Sequence, residues 1–401
     1  MPVLSLLIKP ASGNCNMRCT YCFYADELNK REGGSFGMMS RETMHIIVDK
    51  ALVFGDKSVT FAFQGGEPTL VGLDFFRDFV AYVEESRQRL MQSQQVQAQN
   101  DETDQKIVKN TSEKWNRIKS LKIEYAIQTN GYAIDEEWAK FLVEHHFLVG
   151  VSLDGTREVH DRYRVDAAGA GTYNRVLANI RLLEKYKVTY NILTVVTAAT
   201  ARNGQKIYNF FKKNKFGYQQ YIECLDPIGE IPGGHDYSLT PERYATFLKS
   251  IFDSWYLDMK AGTYVYNRYF ENLMMLFSRQ LPESCSMRGV CGKQWVIEAD
   301  GSTYPCDFYA LDEWKLGNIT EDSFEAMDQK RDELGFIAWS EYIPEECRAC
   351  KWSMLCRNGC RRHCESVTES TRGKNYFCEA YKEFFEYAYP RLAEVYQRYA
   401  R

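Results

Sequence analysis

Cys15-Asn16-Met17-Arg18-Cys19-Thr20-Tyr21-Cys22 is the stretch on which the reading of this chain turns. Its three cysteines stand at spacings of four and three residues. Three thiolates fall one short of a closed tetrahedral zinc site. They can hold three irons of a cubic four-iron cluster and leave the fourth open to a small molecule. The loop follows a short apolar run, Leu4 to Ile8, suited to a buried strand. A buried strand that runs out into a ligand-bearing loop is the first half of an α/β unit.

The chain beyond repeats that unit. Met39 to Phe54 has helical periodicity, with Ser40 placed as N-cap. Val59 to Phe63 reads as a second strand, ending at Gln64-Gly65-Gly66-Glu67-Pro68, and Leu73 to Leu90 as a helix. Met91 to Lys114 is polar and glutamine-rich, which predicts a surface insertion without catalytic content. Strands are then expected at Leu121 to Ile127, Phe147 to Leu153, Val188 to Val196 and Tyr218 to Ile222. Helices are expected at Asp135 to His145, Tyr173 to Tyr186 and Gly204 to Lys213. This alternation predicts a parallel sheet with helices outside, as an open twisted sheet or a partial barrel. Ligands of such folds gather at the C-terminal ends of the strands. The cysteine loop, QGGEP, QTNG (Gln128 to Gly131) and SLDG (Ser152 to Gly155) all fall there.

A Gly/Pro cluster from Asp226 to Asp236 reads as a linker, dividing the chain into 1–235 and 236–401. Beyond it lie an amphipathic helix from Thr240 to Met259, a hairpin in WVIEADGSTYPCDF with Asp300-Gly301 at its turn, and an aromatic-rich helix from about Tyr376 to Tyr399. With 401 residues, 45 % hydrophobic and 14 % aromatic, the chain can bury a large core. A net charge of −4 without a long basic run disfavours a nucleic-acid partner. No apolar stretch is long enough for a membrane span, and MPVLSLLIKPASGNC has no secretory pattern. A cytoplasmic chain is expected.

Thirteen cysteines in a reducing compartment point to metal rather than to disulfides. Three stand at the front, Cys224 stands alone, and nine lie between Cys285 and Cys378. Cys347, Cys350, Cys356, Cys360 and Cys378, with Cys285, Cys291 and Cys306 upstream, make eight thiolates, the number for two Cys₄ clusters. Two structural zinc sites have the same count, and spacing does not separate the two or fix the partition. Cys224 and Cys364 are left over.

The motif CNMRCTYCFY (15–24) resembles the cluster motif of radical S-adenosylmethionine enzymes. The resemblance implies one four-iron cluster on Cys15, Cys19 and Cys22, with S-adenosylmethionine on the open iron. It places Tyr24 against adenine, where an ordinary core aromatic is the alternative. It makes Gly65, Gly66 and Glu67 a motif for the methionyl ammonium, Glu67 accepting from it. Ser152 and Arg164 match positions for the ribose or carboxylate, and Leu225 one for adenine; a solvated surface charge is the alternative for Arg164. The rear cysteines resemble a SPASM domain, which implies one cluster on Cys285, Cys291, Cys306 and Cys360 and another on Cys347, Cys350, Cys356 and Cys378.

Over nearly its whole length the chain resembles the anaerobic sulfatase-maturating enzymes. The resemblance runs through LLIKPASGNCNMRCTYCFY (6–24), FAFQGGEPTL (61–70), IQTNG, SLDG, ECLDP (223–227), YPCDFYALDEWKLGNI (304–319) and KEFFEYAYPRL (382–392). It implies a partial (β/α)6 barrel with a C-terminal SPASM domain and three [4Fe-4S] clusters. The implied reaction oxidises a cysteine or serine, in a C/S-x-P/A-x-R segment of a sulfatase, to Cα-formylglycine. A flavodoxin or ferredoxin would supply electrons. Asp307, beside Cys306, is implied as the base for the thiol or hydroxyl proton; a carboxylate satisfying local backbone donors is the alternative. Another SPASM maturase, making thioether or carbon crosslinks, is the runner-up. Such maturases often carry a precursor-binding domain, for which no room is expected before Leu4. A zinc-stabilised binding protein without catalysis is the third reading.

Overall fold

The structure, a computed structural model, describes residues 3–100, 115–365 and 372–399. A ten-stranded sheet runs through it in the order β10-β9-β8-β1-β2-β3-β4-β5-β6-β7. The first six strands are β1 (Leu4–Ile8), β2 (Ser58–Phe63), β3 (Lys122–Thr129), β4 (Leu148–Ser152), β5 (Tyr190–Val196) and β6 (Tyr218–Glu223). They pair in parallel, each with the next. Helices pack on the outer face, where Val59, Phe61 and Phe63 of β2 are buried, and these alternate with half-buried residues. This is the partial (β/α)6 barrel, one of the two forms the alternation allowed and the one the resemblance implied.

Local chemistry explains the helix starts. Ser40 Oγ accepts from the Thr43 N–H at 3.0 Å and starts the helix Arg41–Phe54. Asp135 caps Glu136–Glu144 through the Trp138 N–H, and Thr240 caps Pro241–Lys260, with Pro241 in the first turn. Each side-chain oxygen satisfies a backbone donor that the helix cannot. The helix from Leu73 runs to Asn100, ten residues beyond the expected end, so the glutamine-rich insertion begins as a helical extension. Its remainder, 101–114, lies outside the described residues. The helices Arg157–Tyr163, Ala198–Arg202 and Arg268–Phe277 are not among the elements expected from sequence.

Segments after residue 236 extend the sheet at both edges. β7 (Tyr266–Asn267) adds to β6, and β8 (Trp295–Ile297) adds in parallel to β1, with Leu6 opposite Trp295 and Ile8 opposite Ile297. β8 turns at Asp300-Gly301 (Gly301 φ 86°) into antiparallel β9 (Ser302–Tyr304), which pairs with β10 (Gly317–Asn318). β9 runs directly into Cys306 and Asp307. The apolar core is continuous from Leu4 to Val395, with Trp255, Tyr208 and Phe211 fully buried in it. The final helix, Cys378–Tyr399, packs on Pro241–Lys260 through Phe252 and Phe384, whose ring centroids are 5.7 Å apart. Among the described residues no helix is long and apolar enough to cross a membrane.

Candidate active site

The strand ends build one cavity. Its wall carries Cys15, Cys19 and Cys22 from the loop after β1, and Gln64, Gly65 and Gly66 from the end of β2. Thr129 and Asn130 come from the end of β3, Ser152 from β4, and Leu225 from the loop after β6. Tyr24, Arg164 and Phe308 complete it. Ser152, Arg164, Leu225 and the two glycines, which the resemblance singled out, therefore stand together on one cavity wall.

Gly66 shows why the turn after β2 needs glycine. Its φ is +53°, and a Cβ there would sit 2.2 Å from the Asn14 carbonyl oxygen. The turn lies flat against the cysteine loop, and the Glu67 N–H donates to that same carbonyl at 2.8 Å. Glu67 follows in the same turn. It is fully buried, and its carboxylate accepts from the Thr69 N–H (3.1 Å), the Thr69 hydroxyl (2.7 Å), the Thr129 hydroxyl (2.8 Å) and the Asn130 N–H (2.7 Å). Its oxygens are thus engaged from inside the protein and do not form the cavity wall. The Glu67 carboxylate ties the turn after β2 to the end of β3, and its N–H ties that turn to the cysteine loop.

Arg164 is not a solvated surface charge. It is 7 % exposed, and its Nε donates to Asp154 Oδ2 at 2.8 Å. Asp154 also accepts from the Tyr21 hydroxyl and from the Val195 N–H (2.9 Å). The pair holds the guanidinium at the cavity wall by one edge.

Tyr24 does more than present a ring. Its hydroxyl donates to Asp307 Oδ2 at 2.6 Å, and Gln64 Nε2 donates to the same oxygen at 2.8 Å and to the Tyr24 hydroxyl at 2.8 Å. Asp307 Oδ1 is buried without a hydrogen-bond partner among the described residues. Burial pushes the Asp307 carboxyl up, and Lys9 and the Tyr24 hydroxyl act against it. Lys9 belongs to a buried charge cluster beneath the site. It pairs with Glu298 (2.8 Å) and Glu27 (3.7 Å), and Arg31 pairs with the same two carboxylates (2.7 and 3.7 Å). Burial pushes Glu27 up to about 8, though Lys9 opposes it. Gln64, Lys9, Glu27, Arg31 and Glu298 were not singled out from sequence. The available signals were weak: a charge directly after an apolar strand, and the glutamine before the glycine pair.

All thirteen cysteines are free thiols. Cys347, Cys350, Cys356 and Cys378 line a single cavity of about 470 Å³. Cys306 lies near Cys360 and Cys285: burial pushes its thiol up, and these two add to it. Burial likewise raises Cys360, with Cys285 and Cys291 adding. The donor chemistry fits clusters. Burial raises Cys15 to about 11 and Cys19 to about 12, and a bound metal would favour their thiolates. Cys15 Sγ already accepts from the Met17 N–H (3.4 Å) and Asn130 Nδ2 (3.6 Å), the hydrogen bonds that tune cluster sulfurs. Cys364 Sγ instead donates to the Asn358 carbonyl at 2.9 Å, and Cys224 is buried beside Leu225.

Known proteins share this arrangement. Residues 10–210 match the Radical SAM superfamily, and residues 285–351 match an iron-sulfur cluster-binding domain, SPASM. A cysteine-type anaerobic sulfatase-maturating enzyme of Clostridium novyi is 46 % identical over 98 % of this chain and 98 % of its own. One from Clostridium perfringens is 45 % identical over 98 % of this chain and 99 % of its own. The solved structure of native anSMEcpe with bound AdoMet and Cp18Cys peptide superposes with a TM-score of 0.86 at 44 % identity, covering 99 % of both chains. With identity at this level running end to end through both cysteine regions, the chain belongs to the anaerobic sulfatase-maturating enzymes of the radical S-adenosylmethionine superfamily.

Proposed function

We propose that this chain oxidises a cysteine in an extended C-x-P/A-x-R segment of a sulfatase to Cα-formylglycine. Serine is the alternative target, and the cysteine-type names of the Clostridium relatives favour cysteine. The observation that carries the reading is the link from Tyr24 and Gln64 to Asp307. Two residues of the cavity wall hold one oxygen of a buried carboxylate, and the other oxygen keeps its lone pairs.

Cys15, Cys19 and Cys22 would hold one four-iron cluster. Cys285, Cys291, Cys306 and Cys360 would hold a second, and Cys347, Cys350, Cys356 and Cys378 a third. When bound, the front cluster and S-adenosylmethionine supply a 5′-deoxyadenosyl radical that takes a hydrogen atom from Cβ, and the rear clusters take the electron released on oxidation. Gly65 and Gly66 let the backbone approach the methionyl group, Arg164 offers its free edge to a carboxylate, and Ser152 and Leu225 complete the wall. Tyr24 and Gln64 fix Asp307 Oδ2, leaving Oδ1 to accept the S–H proton. Cysteine thus loses a hydrogen atom, a proton and an electron to give a thioaldehyde, which water converts to the aldehyde and hydrogen sulfide. Residues 1–235 start the radical and 236–401 complete the oxidation. The partners are a sulfatase segment and a low-potential carrier such as flavodoxin or ferredoxin, in the cytoplasm. The test is anaerobic incubation with S-adenosylmethionine, dithionite and a cysteine peptide. The aldehyde mass is expected, and an unchanged peptide beside accumulating 5′-deoxyadenosine defeats the proposal.

A further inference from the structure

Lys9 is the first residue after β1, and it meets three other pieces of the site at once. Its backbone N–H donates to the Ile297 carbonyl of β8 at 2.8 Å. Its stem lies against the turn after β2: a Cβ at Gly65 would sit 2.5 Å from Lys9 Cγ and Cε. Its ammonium stands 4.8 Å from the centroid of the Tyr24 ring. Lys9 is 1 % exposed. One cation, out of reach of water, therefore lies against the ring whose hydroxyl joins Gln64 Nε2 in holding Asp307 Oδ2.

Carboxylates hold that ammonium in place. Glu298, directly after β8, lies 2.8 Å from Nζ, and Glu27, in the helix Phe23–Lys30 that carries Tyr24, lies 3.7 Å away. Arg31 caps the end of that helix. It pairs with the same two carboxylates, and its Nε donates to the carbonyl of Ala310, three residues after Asp307. The Ala310 N–H donates to Glu27 Oε1 at 3.4 Å. Two buried cations and two buried carboxylates thus tie the Tyr24 helix to the Asp307 loop and to β1. For stability alone, apolar side chains of similar volume would serve as well as buried ions. What an apolar filling lacks is direction, since a cation attracts the face of an aromatic ring.

We propose that Lys9 is a positioning residue for proton removal: its buried ammonium holds the Tyr24 ring in the placement from which the hydroxyl reaches Asp307. The inference rests on Asp307 being the base, as read above. Lys9 is not part of the cavity wall, so it acts through Tyr24 and not on the substrate.

The test measures aldehyde formed per 5′-deoxyadenosine, beside thermal unfolding and front-cluster iron, in the reconstituted enzyme with S-adenosylmethionine, dithionite and the cysteine peptide. Lys9→Met should lower that ratio by about tenfold, the effect of taking a desolvated cation from a ring face. It should also lower the melting temperature, because a buried carboxylate loses its partner. Adding Glu298→Gln removes one charge of each sign, and the melting temperature should largely recover. The ratio should stay low in that double variant, because the cation is still missing. A ratio that recovers with the melting temperature means that Lys9 only stabilises the fold and overturns the proposal, as does an unchanged ratio in Lys9→Met. In a Tyr24→Phe background Lys9→Met should add little, and a fully additive loss also overturns it. Should Lys9→Met fail to hold the front cluster, the double variant decides by the same ratio, and failure of both overturns the proposal. Wild-type enzyme that makes 5′-deoxyadenosine but no aldehyde defeats the proposed function itself, a result read before any variant.

Discussion

Phenylalanine at position 24 separates two jobs of one side chain. The ring stays in the cavity wall, and the hydroxyl that donates to Asp307 Oδ2 at 2.6 Å is lost. A hydrogen bond to a charged group contributes about 1.5–3 kcal/mol. At about 1.4 kcal/mol per tenfold in rate, Tyr24→Phe should cost roughly 10- to 150-fold in peptide oxidation. Gln64 Nε2 still holds the same oxygen at 2.8 Å, which places the loss in the lower part of that range. The assay follows aldehyde by mass spectrometry and 5′-deoxyadenosine by chromatography in the same anaerobic reaction. Aldehyde should fall far more than 5′-deoxyadenosine, because the hydroxyl serves the base and not the cofactor. In an Asp307→Asn background the Tyr24→Phe change should add little, since both act through one carboxylate. Peptide oxidation undiminished in Tyr24→Phe would mean that the ring alone matters. A fully additive loss in the double variant would mean that the hydroxyl acts elsewhere. Either result refutes the reasoning.

Other outcomes follow from other parts of the fold. Gly66→Ala forces a Cβ to 2.2 Å from the Asn14 carbonyl at a positive φ, and should cost about 2–5 kcal/mol and most of the front cluster, read by thermal unfolding and iron content. Gly72→Ala, with φ 89° but nothing within 4 Å, should cost only about 1–2 kcal/mol. Cys224→Ala and Cys364→Ser should leave iron content unchanged, whereas Cys360→Ala should lose one cluster's worth; iron and sulfide analysis distinguishes them. Burial holds His160 down at about 4, below the 6.5 of an unfolded histidine, so the unfolded chain takes the extra proton first. Stability should therefore fall as pH drops from 6.5 towards 4, by about 2 kcal/mol at about pH 5, and His160→Gln should flatten that slope in pH-dependent melting.

The barrel was legible because its strands carry short apolar runs with at least one buried face, and its breaks are marked. Leu4–Ile8 and Gly204–Lys213 begin and end where apolar pattern and punctuation place them. Short elements were not legible. β7 is two residues long, and Ala198–Arg202 has barely one turn, so neither has room for a period. The cavity wall was largely readable from strand-end motifs, since a residue type at a strand end has few places to go. What chain order hides is partnership. Glu67 sits in the expected turn, yet its oxygens point into the protein because Thr129 and Asn130 arrive from a strand sixty residues on. Arg164 looked equally suited to a surface until Asp154 and Tyr21 closed round it. Lys9 and Glu298 are distant in sequence and meet because β8 pairs with β1.

That pairing bears on how the enzyme meets a protein substrate. β1 carries the cysteine loop at its end, and β8 and β9, beside it, deliver Asp307. The two chemical ends of the enzyme are therefore adjacent threads of one woven sheet, spaced by ladder hydrogen bonds instead of a hinge. On the proposed reading, a substrate segment would have to lie across two ends whose spacing the sheet itself fixes.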